Sequence, residues 1–375
     1  MPVRNLTILF VFLLTWDNFA QNHADEFSAS NAWRMFRGNP QSTAVKAGRV
    51  ANEPRLLWTF QASDAIESTA AIYANRVYFG TLDGHFYAVD FATGDSVWKR
   101  TVEDEIKSSP TVYRNKIFFG DEFGEFHALD VRTGEQVWKF TTEAGIISSA
   151  NFWEDYVLFG SYDNYLYCLS VADGALRWKL ETDGYVHGTP AIYNNQVCIT
   201  GCDGYLRVIE IASGKETKKI ELVDYIASSP AIYNGRVYFG THGNRVLCVN
   251  LKSSQIEWVY EHPVRKFPYY ASAAVNAEVV LIGGGDKILH ALDPKSGKEK
   301  WAFQARSKFE ASPIIVGERA ITATVRGVIY LFDIHSGSVL WEYETGTAIA
   351  SSPAFAKGKF VIGSDDGILY CFGKK

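Results

Sequence analysis

The tryptophans recur at a fixed spacing. Trp58, Trp98, Trp138 and Trp178 fall forty residues apart, Lys218 takes the next slot, and Trp258 the one after. Trp301 then follows after forty-three residues and Trp341 after forty more, so one unit carries three extra residues, placed at 262–270. A constant period of this length marks a repeat architecture and overrides the two or three domains that a chain of 375 residues otherwise suggests. Each unit has the same internal plan. Residues 227–233, 236–240, 246–251 and 255–260 read as four short strands rich in β-branched and aromatic side chains. Asp83-Gly84, Asp203-Gly204 and Asp366-Gly367 supply tight turns between second and third strands, and Thr93-Gly94, Thr133-Gly134 or Ser336-Gly337 lie between third and fourth. A lone forty-residue blade cannot bury both of its faces, so the blades must stack radially.

The two ends of the chain explain how the ring shuts. The last unit stops before its Trp, whereas 55–61, carrying Trp58, precede the first complete unit and can serve as the missing outer strand. The expected fold is therefore all-β: an eight-bladed β-propeller of four-stranded antiparallel blades over 54–375, closed by its N-terminal strand, with an extended segment at 21–53. Ahead of it, Arg4 and the apolar stretch 6–14 have the pattern of a secretory signal peptide, with cleavage expected after Ala20 or Ala24. That stretch is too short to cross roughly 30 Å of hydrocarbon as a helix, and no later run reaches the necessary length. No Cys lies near either cleavage site to accept a lipid. The expectation is an exported monomer, periplasmic or secreted, without a transmembrane span or lipid anchor.

Ala88, Asp90, Thr93, Gly94 and Trp98 form the pattern AxDxxTGxxxW, repeated at Ala128, Asp130, Thr133, Gly134 and Trp138. This resembles the pyrroloquinoline-quinone-type propeller repeat over about residues 33 to 372. The resemblance includes an opener at 33–43 (WRMFRGNPQST), after which Ala44 stands where a Gly is common. The architecture is similar to the BamB-type subunit of the outer-membrane β-barrel assembly machinery, which implies a non-catalytic interaction scaffold with protein partners in the cell envelope. The absent lipid-attachment Cys departs from that lipoprotein pattern. Two other readings compete: a generic secreted ligand-binding propeller, and a quinoprotein dehydrogenase. The latter resemblance implies adjacent Cys residues against the quinone, calcium ligands and long insertions between blades, whereas this chain has no Cys-Cys pair and almost no insertion. The motif itself has a structural reason: Gly allows the sharp turn, Asp and Thr hydrogen-bond at the corner, and Trp packs on the next blade.

The remaining chemistry is sparse. Lys and Arg number 37 against 42 for Asp and Glu, so no basic excess exists to neutralise a phosphate backbone and nucleic acid is excluded as a partner. Cys168, Cys248 and Cys371 fill the slot of Ala88, Ala128 and Ala291, as small buried residues in separate blades; Cys198 and Cys202 are close enough for only a strained bridge. No HExxH, CxxCH or GxSxG pattern occurs, and 283–285 (GGG) leads to a strand rather than to a phosphate-binding helix. No catalytic, cofactor or metal residue is therefore expected. The face bearing the blade links and the second-to-third-strand turns should carry Glu67, Lys107, His187, Tyr270 and Glu310, with Asp121, Glu122, Tyr162, Asp163, His242 and Arg326; His187 and His242 are the His pair expected near each other. The candidate partner-binding residues lie where the period breaks: Arg265, Lys266, Phe267, Tyr269 and Tyr270, beside His242 and Arg326. Two prolines stiffen this link and lower the entropy lost on ordering. Against this reading, Phe267 and Tyr269 can serve simply as plugs of the funnel wall.

Overall fold

The computed structural model describes residues 31–222 and 224–375, so the expected signal peptide lies outside the described residues. Eight antiparallel sheets form the blades of a propeller. In the first blade the strands are Ala71–Tyr73, Arg76–Gly80, His85–Asp90 and Ser96–Thr101, running from the axis outward. Inner and middle strands are buried almost throughout, whereas the outer strand, a sheet edge facing water, is exposed except at half-buried Trp98. The eighth blade closes as expected: Arg55–Gln61 pairs antiparallel with Ile368–Gly373, setting Trp58 opposite Cys371.

Each Trp locks its blade to the next one. The Trp58 ring lies on Gly94, and the rings of Trp98, Trp138, Trp178, Trp258 and Trp301 lie on Gly134, Gly174, Gly214, Gly297 and Gly337. These glycines have φ between 68° and 82°, and a Cβ on any of them would come within 2.6 to 2.8 Å of the ring, so both backbone and space demand Gly. The indole Nε1 of Trp58, Trp138, Trp178, Trp258 and Trp301 also donates to a backbone carbonyl of the following blade. Trp98 makes no such bond, since Tyr78 and Arg76 donate to the corresponding carbonyl of Val131. Trp341 faces the seam where the chain begins and ends, and packs on Phe372 and Phe360. Small residues sit opposite the rings: Ala88 pairs with Trp98, Cys168 with Trp178, and Cys248 with Trp258. All five Cys are free, and four of them are buried. Lys218, the exception to the period, sends its Nζ to the Leu251 and Lys252 carbonyls in place of an indole. With no ring to cover, the glycine position opposite it is Ser254.

Residues 33–50 are more than a leader. The segment passes the inner strands in blade order: Trp33 exchanges two backbone bonds with Ile72, and Arg34 accepts from Val112. Pro40 accepts from Asn151 and Ile192, Gln41 from Ile232, Thr43 from Val275, Ala44 from Ile315 and Lys46 from Gly317. Gly48 then packs on Phe355 of the last blade. Val45–Lys46 thereby adds a fifth, parallel strand to the seventh blade. Ala44 holds φ at 56°, a left-handed backbone that favours Gly. Arg37 is buried in this segment, and two carbonyls, those of Ser272 and Ala273, accept from its Nη2. Burial draws its pKa down to about 9.

Polar staples hold the second-to-third-strand turns. Asp203 and Glu216 clasp Arg207, and Asp286 and Glu299 clasp His290 at 2.8 and 3.0 Å. Burial pulls the His290 pKa down, but hydrogen bonds to both carboxylates outweigh it and the net shift is upward.

Three outcomes are expected. Trp138→Ala should cost roughly 3 to 5 kcal/mol in denaturant titration, the range for losing a buried large aromatic; a cost below about 1 kcal/mol contradicts the inter-blade lock. Lys218→Trp alone should destabilise, because Ser254 occupies the space the ring needs, while adding Ser254→Gly should recover the loss; additive effects of the two changes would show that the positions are uncoupled. Folding favours protonated His290, so its contribution is complete below the unfolded imidazole value of 6.5 and is lost as pH rises through the higher folded value. The thermal-midpoint advantage of the wild type over His290→Gln should therefore shrink from pH 5.5 to 8.5, and an advantage that grows with pH contradicts the assignment.

Candidate functional site

The blade links and the second-to-third-strand turns share one face, tied together by backbone bonds such as Leu82 to Ala65, Glu122 to Glu105 and His242 to Tyr225. At its centre opens a solvent-accessible funnel with Phe36 of the N-terminal segment in its lining. One residue from each link forms the lip: Glu67, Lys107, Ile147, His187, Ala227, Tyr270, Glu310 and Ala350. Below them runs a ring of hydroxyls, Thr69, Ser109, Ser149, Thr189, Ser229, Ser272, Ser312 and Ser352. Each hydroxyl from Ser109 onward accepts the backbone N–H of the preceding member, in seven steps of 2.8 to 3.1 Å from the first blade to the eighth. The ring is therefore a circumferential tie, and it explains why Ser or Thr recurs just before the inner strand.

The lip is electrostatically divided. Burial raises the Glu67 pKa, with Lys107 pulling it back and Asp365, Glu105 and Glu310 adding to the rise. Burial likewise raises Asp365, with Glu310 adding to it. Lys107 is bound by Glu105 at 2.7 Å and Glu122 at 3.1 Å. Across the funnel the character is aromatic and imidazole. Tyr162 meets His187 Nδ1 at 2.5 Å and stacks on Tyr185 at 4.7 Å, while Tyr270 meets His242 edge-on at 5.0 Å. Burial lowers the His187 pKa, and His242 lowers it further, which agrees with the expected proximity of that pair.

The extended link runs from the end of Gln255–Glu261 to Ala274–Val275. Its residues part company. Phe267 is 50% exposed and Tyr270 41%, but Tyr269 is 2% exposed, packed against Gly240 and His290. Tyr269 is thus a plug and leaves the set of candidate contact residues; Phe267 is not. Arg265 donates to the Asp286 carbonyl at 2.7 Å, and Lys266 pairs with Glu261. Arg326 is exposed on the seventh-blade turn, whose Val325 N–H is held by Lys308 of the link between the sixth and seventh blades, not by the 262–270 link. Sequence reasoning missed three other exposed aromatic residues on this face. Tyr225 is 65% exposed, Phe123 57% and Tyr185 51%. Their signal was visible as Tyr185 and Tyr225 standing where other links carry Ala65, Glu105 and Gly145.

Among the described residues, one group could supply three metal ligands: Asp121, Glu125 and His127, all buried. It lies within the second blade, where His127 Nε2 already bonds Asp121 at 2.8 Å and Lys139 neutralises Glu125. This is the same staple that holds Arg207 and His290, in a different residue combination. The funnel does not fit a pyrroloquinoline quinone with its metal. Its one cationic side chain, Lys107, is held by two glutamates, no Cys lines it, and Glu67 and Glu310 belong to no three-ligand group. No helix among the described residues is long and apolar enough to cross a membrane.

Solved structures share the fold at low identity. BamB from Moraxella catarrhalis is 17% identical with a TM-score of 0.74, covering 86% of this chain and 98% of that one. The computationally designed Ika8 protein is 17% identical with a TM-score of 0.77, over 85% and 100%. A quinohemoprotein alcohol dehydrogenase from Comamonas testosteroni is 12% identical with a TM-score of 0.82, over 94% and 82%. No curated protein matches the sequence. The family model for outer membrane protein assembly factor BamB matches residues 46–151, 122–217, 208–268 and 266–373. With its repeats covered from the first blade to the closing strand, the chain belongs to that BamB-type family of pyrroloquinoline-quinone-like propellers.

Proposed function

We propose that this protein is a non-catalytic scaffold that binds a protein partner during outer-membrane or envelope protein assembly, acting as an exported monomer. The observation that carries the reading is the segregation of exposed apolar side chains. Phe123, Tyr185, Tyr225, Val264, Phe267 and Tyr270 form a crescent on the funnel face over the second to sixth blades. The other large exposed hydrophobics, such as Val97, Val137 and Leu176, sit on outer strands. Exposed aromatics grouped on one face of a rigid framework are the ordinary composition of a protein-binding surface. The family match supports an envelope-assembly role.

The dehydrogenase reading draws on the fold shared with quinohemoprotein enzymes. The funnel's chemistry favours the scaffold, because a quinone with several carboxylates needs cations and a metal cage that Lys107 and the divided glutamates do not offer. Purified protein incubated with pyrroloquinoline quinone and calcium should show neither bound cofactor nor dye-linked alcohol oxidation; stoichiometric binding with turnover would overturn the scaffold reading. The positive test is capture of envelope proteins by the wild type and by Val264→Ser with Phe267→Ala. Both side chains are exposed, so the double variant should lose its specific partner by at least about tenfold, on the order of one hot-spot residue, with an unchanged thermal midpoint. Undiminished capture would place the binding surface elsewhere.

A further inference from the structure

The extended link is held by an imidazole acting as an acceptor. The backbone N–H groups of Val264 and Arg265 both point at His262 Nδ1, at 3.3 and 2.9 Å. A ring nitrogen that accepts two donors carries no proton, so the link is built around neutral His262 protonated on Nε2. Two further side-chain anchors lie within the segment and two backbone anchors just after it. Arg265 reaches the Asp286 carbonyl, Lys266 pairs with Glu261, Pro268 accepts from Gly285, and Tyr269 donates to Thr241. Val264 is 81% exposed and Phe267 50%, so apart from the Arg265 and Lys266 side chains little holds 263–267 once the imidazole lets go.

We propose that protonation of His262 releases residues 263–267, making the partner-binding surface on this link pH-gated, organised at neutral pH and loosened in acid. The inference deepens the scaffold reading and rests on it only for what the link binds. A protonated Nδ1 presents a third donor to two N–H groups, which forfeits both hydrogen bonds at once. The charged surroundings come from three elements. On its own link and strand His262 has Glu261, Arg265 and Lys266. From the sixth blade it faces His290, with ring centroids 5.8 Å apart, together with Asp286 and Glu299, which clasp that ring. Arg245 of the fifth blade stands opposite Glu261 in register and pairs with Asp224. Loosening the link removes the preorganisation of Val264 and Phe267 and so weakens any partner that needs them placed.

Hydrogen exchange of the peptide spanning 262–268, corrected for intrinsic rates, tests this without any partner present. Wild-type protection should fall between pH 7.5 and 5.5, by up to about tenfold per pH unit once the ring titrates. His262→Asn, whose amide oxygen can accept the same N–H groups but does not titrate, should show no such fall. Equal wild-type protection at both pH values, or the same fall in His262→Asn, overturns the proposal. Ring nitrogen shifts in histidine-labelled wild type give an independent check: at pH 7.5 they should identify Nδ1 of His262 as unprotonated, and an Nδ1–H tautomer there contradicts it. Loss of capture with a flat exchange profile would instead implicate the partner surface and leave no role for His262.

Discussion

A tryptophan ring lying on a left-handed glycine of the next blade is the contact on which the structure depends. It is made six times, it requires that the glycine have no side chain, and it fixes both the spacing and the rotation between neighbouring blades. The ring of hydroxyls does near the axis what the tryptophans do at the periphery, with each of the first seven blades donating an N–H to the next. A propeller held at two radii has little freedom to shear. Its links and turns therefore stand on a rigid base even though they are irregular.

The N-terminal part of the chain acts at both radii. Arg55–Gln61 supplies the outer strand of the last blade, and residues 33–50 thread the centre, with hydrogen bonds to seven blades and packing on the eighth. This arrangement couples blades that are distant in sequence. It also buries Arg37 against carbonyls with two of its nitrogens unpartnered, a cost that the surrounding contacts must offset.

Periodicity made the fold legible before any coordinates. The Trp spacing fixed the number of blades, the truncated last unit located the closing strand, and the three-residue excess located the extended link. What periodicity could not reveal was the course of 33–50, because most of its bonds are between backbone groups and carry no side-chain signature. The exception at Lys218 was visible, but its meaning depends on Ser254, thirty-six residues on, and needed the inter-blade geometry. The site was less legible for a related reason. Adjacent residues in an irregular link can face opposite ways, as buried Tyr269 and exposed Tyr270 do, and no repeat predicts which. His262 escaped notice because its part is to accept backbone hydrogen bonds, which any lone histidine in a loop could equally fail to do.

Site-specific photo-crosslinking in native envelopes tests most directly whether the rigid ring presents one face to a protein partner. A photoreactive phenylalanine analogue at Tyr225, the most exposed aromatic of the crescent, should give a discrete adduct, while the same analogue at Val137 on an outer strand should give none. Adducts from Val137 with none from Tyr225 would contradict the claim and move recognition to the rim of the propeller.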